Sequence, residues 1–152
     1  MTLAIKIRNA VPSDIEDMIR LLEQLFTIEK DFTFDEDCHR KGLLLMMEGC
    51  GKHKTLKVAE HNQKIIGMCS IQTRISTATG GVSGFIEDLV VDKHHRGNGV
   101  GKALLDHMNR WAQQRGIQSL QLLADKHNTP ALDFYHRLNW QTTQLICLTK
   151  KI

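Results

Sequence analysis

The chain has 152 residues, of which 41% are hydrophobic and 24% charged, the size and composition of one globular domain. Eleven glycines and two prolines exclude a collagen-like or low-complexity chain. The net charge of +3 is spread along the sequence and aromatics make up 5%, which excludes the basic stripe with stacking rings that nucleic-acid binding needs.

No apolar run approaches the roughly 20 residues that cross a bilayer. The first residues alternate and soon meet charge, without the apolar stretch of a signal peptide. The expectation is one soluble, cytoplasmic domain over 1–152, with no membrane or nucleic-acid partner. Cys38, Cys50, Cys69 and Cys147 form no C-x-x-C pair. They read as reduced, mostly buried thiols, with no metal site.

Leu3, Ile5 and Ile7 alternate with Lys6 and Arg8, which predicts a first strand. Ser13, followed three residues later by Glu16, reads as a capping box. Ile15, Met18, Ile19, Leu22, Leu25 and Phe26 then keep helical spacing. A second helix starts near Asp35 and ends at Gly49. Three strands follow as an antiparallel meander: Leu56–Glu60, Ile65–Ile75 and Phe85–Val91. Val100, Ala103, Leu104, Met108 and Trp111 share one helix face. Leu120–Leu123 is a short strand, Pro130–Leu138 a helix capped by Asn128 or Thr129, and Trp140–Leu148 a last strand. The class is mixed α/β, in the order β-α-α-β-β-β-α-β-α-β.

The informative stretch is Val90 to Lys102, where a strand runs into Arg96-Gly97-Asn98-Gly99-Val100-Gly101 and the loop opens a helix. Glycines let backbone approach an anion closely. The first N–H groups of a helix are unpaired and sit at its positive end. Together they predict a diphosphate cradle. The G-x-G-x-G spacing fits neither a dinucleotide fingerprint nor a P-loop.

This stretch resembles the R/Q-x-x-G-x-G/A motif of the GCN5-related N-acetyltransferases (GNAT). Asn128-Thr129-Pro130-Ala131-Leu132-Asp133-Phe134-Tyr135-His136-Arg137-Leu138 resembles that family's second signature, N-x-x-A-x-x-F-Y-x-x-L. Asn139 stands where the family usually has a helix-ending glycine, and Asn is the next most tolerant residue for a left-handed cap. The resemblance implies a splayed mixed sheet flanked by helices, with acetyl-CoA as co-substrate.

Residue by residue, the resemblance implies that the backbone at Leu89 and Val91 bonds the pantetheine arm. The N–H groups from Arg96, Gly97, Asn98, Gly99, Val100 and Gly101 hold the diphosphate, with Lys102 adding charge. Asn128 contacts the cofactor arm, and Tyr135 protonates the departing thiolate.

Acetylating an amine also needs a base, because an ammonium is not a nucleophile. Glu87 and Asp88 are neighbours in a strand, so strict alternation sends them to opposite faces. The run Ile86 to Val91 resembles the diamine acetyltransferase branch, which favours Glu87, with Asp88 as a structural partner. His94 and His95 read as solvent-facing.

The expected reaction is direct transfer of acetyl from acetyl-CoA to a primary amine, with Glu87 as base and Tyr135 as acid. The acidic stretch Glu29, Asp31, Asp35, Glu36, Asp37 lies in the region, residues 26–50, that the resemblance implies covers the acceptor, which suggests a small cationic amine. A protein lysine or N-terminus as acceptor, a CoA-binding regulatory module without turnover, and a homodimer stay open.

Overall fold

The computed structural model describes residues 2–49 and 51–152. The chain forms two compact units, Met1–Gln121 and Leu122–Ile152. Its elements are β1 (Lys6–Asn9), α1 (Ile15–Ile28), α2 (Glu36–Met47), β2 (Lys54–His61), β3 (Lys64–Ser76), β4 (Gly81–Val91), α3 (Val100–Gln114), β5 (Leu120–Leu122) and α4 (Thr129–Arg137). One five-stranded sheet runs in the order β1-β2-β3-β4-β5, and β1 to β4 pair antiparallel. This is the expected mixed class.

The meander follows from local chemistry. Asn62 and Gln63 take φ of 49° and 63°, the left-handed pair that suits a two-residue hairpin between β2 and β3. β3 is buried without a break from Ile65 to Ile71, because helices cover the sheet on both faces. α1 packs on one face: Met18, Ile19 and Leu22 join Leu56, Val58, Met68 and Val90 in one cluster. On the other face lie Val100, Leu104, Leu105, Met108 and Trp111 of α3, all buried. A Cβ placed on Gly67 would come within 3.1 Å of both Val100 and Leu104.

Gly84 marks an equally close approach. Its N–H donates to the Ser119 carbonyl at 3.0 Å, and a Cβ there would meet Leu120 at 2.7 Å and Ile71 at 2.8 Å. Overpacking of this kind costs about 1–3 kcal/mol. Gly84→Ala is therefore expected to lower the melting temperature by several degrees, as read by calorimetry; an unchanged value would mean that the two side chains move aside freely.

Three sequence expectations change. The cap of the first helix is not Ser13: a 3-10 turn, Pro12–Asp14, precedes α1. Asp14 accepts the Val11 N–H at 2.8 Å and a two-pronged pair from Arg8 at 2.7 and 2.9 Å. Burial alone would raise the Asp14 carboxyl, but Arg8 and the Val11 N–H outweigh it and hold it below the usual range.

The thiols are not mostly buried either. Cys69 is buried, Cys38 and Cys147 are exposed, and Cys50 lies outside the described residues. Finally, the stretch Trp140–Leu148 forms no strand. A strand exists only through a partner's ladder, which a run of apolar residues cannot announce.

In the second unit, Asn128 Oδ1 caps α4 by accepting the Ala131 N–H at 3.2 Å. Asn139 ends the helix at φ 68°, the left-handed role expected for it. Tyr135 packs edge-on against Phe134 and Trp140, with ring centroids 5.2 and 6.1 Å away. Among the described residues, no helix is long and apolar enough to cross a membrane.

Candidate active site

The strand that enters the glycine loop is interrupted. In the β3–β4 ladder Met68 faces Val90 and Ser70 faces Glu87, so Asp88 and Leu89 together oppose Cys69. This is a β-bulge, and Asp88 sits in it at φ 53°, a backbone that Asp and Asn tolerate better than most residues. The bulge takes backbone groups at Asp88 and Leu89 out of the ladder. On the other side of β4, β5 contributes only three residues against eleven.

The bulge also separates the two carboxylates. Glu87 is exposed and Asp88 is half-buried. Their different exposures accord with alternation, and the extra residue resets the alternation between Glu87 and Val90. Desolvation, followed by the charge of Glu87, pushes the Asp88 carboxyl up to about 6. The neighbouring Cys69 thiol is pushed far upward by complete burial, then by Asp88, and is inert as a nucleophile.

Beyond Val91 the chain makes a 3-10 turn, Lys93–His95, and then the glycine loop. Gly97 and Gly99 take φ of 77° and 79°, and a Cβ on either would meet nothing within 4 Å. Their lack of a side chain thus serves conformation and open space, not internal packing.

The loop is pinned by its own side chains. Arg96 Nε donates to the Val91 carbonyl at 3.1 Å, and Asn98 Nδ2 donates to the carbonyls of His95 and Arg96 at 3.1 and 3.2 Å. The first backbone bond of α3 runs from the Ala103 N–H to Gly99 at 3.0 Å, so the N–H groups of Val100, Gly101 and Lys102 point out of the helix start. That arrangement, with the Arg96 cation beside it, fits a diphosphate. Lys102 is already ion-paired to Asp106 at 2.8 Å, which weakens it as a phosphate partner.

Leu89, Val91 and Arg96 through Lys102 thus lie consecutively along the bulge, turn and helix start of the first unit, with Glu87 and Asp88 at the bulge. Asn128, the cap of α4, and Tyr135, within α4, belong to the second unit. Gln24 and Asp92, which bond at 2.9 Å, were not among the residues expected from sequence. His95, expected in solvent, is half-buried, and its Nδ1 lies 2.7 Å from Asp92 Oδ2. The three-residue spacing of Asp92 and His95 was the available signal. Among the described residues no cluster of His, Cys, Asp or Glu could hold a metal ion.

Fold and loop together define a mixed α/β protein with an open, left-handed glycine turn at the start of α3. The model of the acetyltransferase (GNAT) family matches residues 16–140, and the chain belongs to that family. Streptothricin acetyltransferase of Streptomyces lavendulae is 38% identical over 55 residues, 36% of this chain and 29% of that protein. Glucosamine 6-phosphate N-acetyltransferase of Trypanosoma brucei brucei is 32% identical over 79 residues, 51% of this chain and 52% of that protein. The matched regions thus span from under a third to about half of these relatives' lengths. Among solved structures, a transcriptional regulator from Bacillus halodurans C-125 superimposes with a TM-score of 0.84 at 24% identity, covering 98% of this chain and 100% of that one. An aminoglycoside acetyltransferase from an uncultured soil metagenomic sample gives 0.79 at 24% identity, covering 97% and 96%. At these identities the structural likeness speaks for the fold.

Proposed function

We propose that both units act as one acetyltransferase domain that moves the acetyl group of acetyl-CoA to a primary amine by direct attack. The observation that carries this is the open, left-handed glycine loop at the head of α3, on a chain that belongs to the GNAT family. Bound acetyl-CoA would supply an activated thioester. The N–H groups from Gly97 to Lys102 and the Arg96 guanidinium hold its diphosphate, and the backbone at Leu89, which the bulge takes out of the ladder, and at Val91 takes the pantetheine arm as an added strand.

Asp88 is the better base of the two carboxylates. A base that titrates near 6 is largely ionised at neutral pH yet stronger than an ordinary carboxylate. Glu87 is exposed and suits attraction of an ammonium. Tyr135 donates the proton that the thiolate needs, in keeping with the family signature, and Asn128 contacts the cofactor arm beside its capping bond.

The acceptor side is the junction of α1 and α2. Phe26 stacks at a tilt on Phe32 and His39, with centroids 5.4 and 4.7 Å apart, and Phe34 lies 5.2 Å from His39. Phe32 is 58% exposed. Ring faces attract cations, and Glu29, Asp31 and Asp37 surround this cluster in sequence. Asp35 and Glu36 contribute less than their charge suggests, since Asp35 caps α2 through the Cys38 N–H at 3.1 Å and Glu36 pairs with Arg40 at 3.4 Å. The acceptor is accordingly a small organic cation with a primary amine, and the streptothricin acetyltransferase relative points the same way.

The test is release of CoA from acetyl-CoA in the presence of a polyamine, an aminoglycoside, an amino-sugar phosphate and a lysine peptide. Turnover should be greatest with the cationic small amines. Tyr135→Phe should leave acetyl-CoA affinity intact and lower kcat about 10²-fold. Acetyl-CoA binding with no release for any amine would instead favour a regulatory binding module. Preference for the peptide would favour a protein acceptor.

A further inference from the structure

Asp92 has no part in the chemistry above, yet each of its polar atoms is committed. Its N–H donates to the Ile66 carbonyl on β3 at 2.8 Å, and its own carbonyl accepts the His95 N–H at 2.8 Å. Oδ1 accepts from Gln24 Nε2 at 2.9 Å, and Oδ2 lies 2.7 Å from His95 Nδ1. Gln24 sits on α1 and is used at both ends, because its Oε1 accepts the Lys93 N–H at 2.9 Å. The chain of bonds continues: the His95 carbonyl receives Asn98 Nδ2, and Asn98 is inside the glycine loop.

We infer that Gln24 and Asp92 are positioning residues that clamp the entry to the diphosphate loop and preset its anion-binding shape. Two glycines in the loop make it soft, because glycine has the largest backbone freedom to lose. A soft loop binds an anion weakly, since ordering it opposes binding. Fixing the turn at 92–95 from two sides, by β3 through Ile66 and by α1 through Gln24, removes that freedom before the ligand arrives. Burial alone would raise the Asp92 carboxyl, yet its hydrogen bonds to Gln24 and His95 keep it below the usual range.

This inference rests on the proposed function only for the identity of the anion.

The experiment measures coenzyme A affinity by calorimetry, acetyl-CoA kinetics, and hydrogen exchange of the amides from 96 to 102 without ligand. Asp92→Ala removes a charged acceptor of two hydrogen bonds and should weaken coenzyme A binding by about 10- to 100-fold. Gln24→Met keeps the shape of the side chain, removes both bonds, and should weaken binding about 3- to 10-fold. Asp92→Asn retains an acceptor toward Gln24 and should recover most of the loss. In both weakened variants exchange across the loop should speed up, KM for acetyl-CoA should rise, and kcat at saturation should stay within about twofold.

The inference is overturned if folded Asp92→Ala and Gln24→Met bind coenzyme A as the parent does, if loop exchange is unchanged, or if kcat falls while KM holds. Should Asp92→Ala fail to fold, Gln24→Met alone decides. If the parent itself does not bind coenzyme A, the proposed function fails, and loop exchange in the same variants still decides the clamp.

Discussion

Gly99→Asp is expected to reduce acetyl-CoA affinity by at least 100-fold while leaving the fold intact. Gly99 precedes α3 at φ 79°, a conformation that Asp adopts with less strain than most residues. A side chain there has open space, with nothing within 4 Å of its Cβ, so packing survives. The new carboxylate, however, stands where the diphosphate would sit. It competes for the same N–H groups and repels the ligand's charge at close range. Losing two or three charge-assisted hydrogen bonds at about 1.5–3 kcal/mol each accounts for more than the 2.7 kcal/mol or so that 100-fold represents. Calorimetry with circular dichroism decides it: a folded variant that binds acetyl-CoA as the parent does would remove the diphosphate seat from α3.

Asp88→Asn should move stability and turnover in opposite directions. The folded carboxyl titrates near 6, against an ordinary value of 3.8. Between those values the folded state keeps a proton that the unfolded state has released. Stability therefore falls as pH rises through that window, and at neutral pH the ionised carboxyl is a net cost. At about 1.4 kcal/mol per pKa unit the ceiling is about 3 kcal/mol, and partial exposure of the carboxyl reduces the realised figure to about 1–2 kcal/mol.

Asn keeps the size of the side chain and tolerates φ 53°, so the bulge should persist. The variant should melt several degrees higher at pH 7–8 and gain little at pH 4. At the same time kcat/KM should drop roughly 10²-fold, and the limb of the parent's pH profile that rises near pH 6 should disappear. A variant that is stabilised yet fully active, with that limb retained, would pass the base role to Glu87 or to water.

Legibility of the site differed along the chain for physical reasons. The glycine loop could be read directly, because its chemistry resides in backbone freedom, and glycine is the only residue that advertises it. The base could not. Alternation says only that Glu87 and Asp88 face opposite ways, the resemblance alone favoured Glu87, and a β-bulge is a property of two strands in register. Nothing in Ile86 to Val91 states that Cys69 on β3 will face two residues. Asp92 and Gln24 are 68 residues apart, and their bond exists only because α1 lies across the sheet next to the end of β4.

The sequence by itself determined the elements whose signals are local. Helical spacing from Ile15 to Phe26 marked α1, the apolar start at Ile65 and the alternation after it marked β3, and the two signatures carried the family. Those signals survive because hydrophobic periodicity, glycine and cap residues act within a turn or two of their own position. Tertiary structure decided everything that depends on a partner. Arg8 made Asp14, not Ser13, the anchor before α1, and burial at the bulge, not charge alone, distinguished Asp88 from Glu87. The apolar run at Leu145–Leu148 shows the same limit from the other side: a strand needs a neighbour to bond, and side-chain pattern alone supplies none.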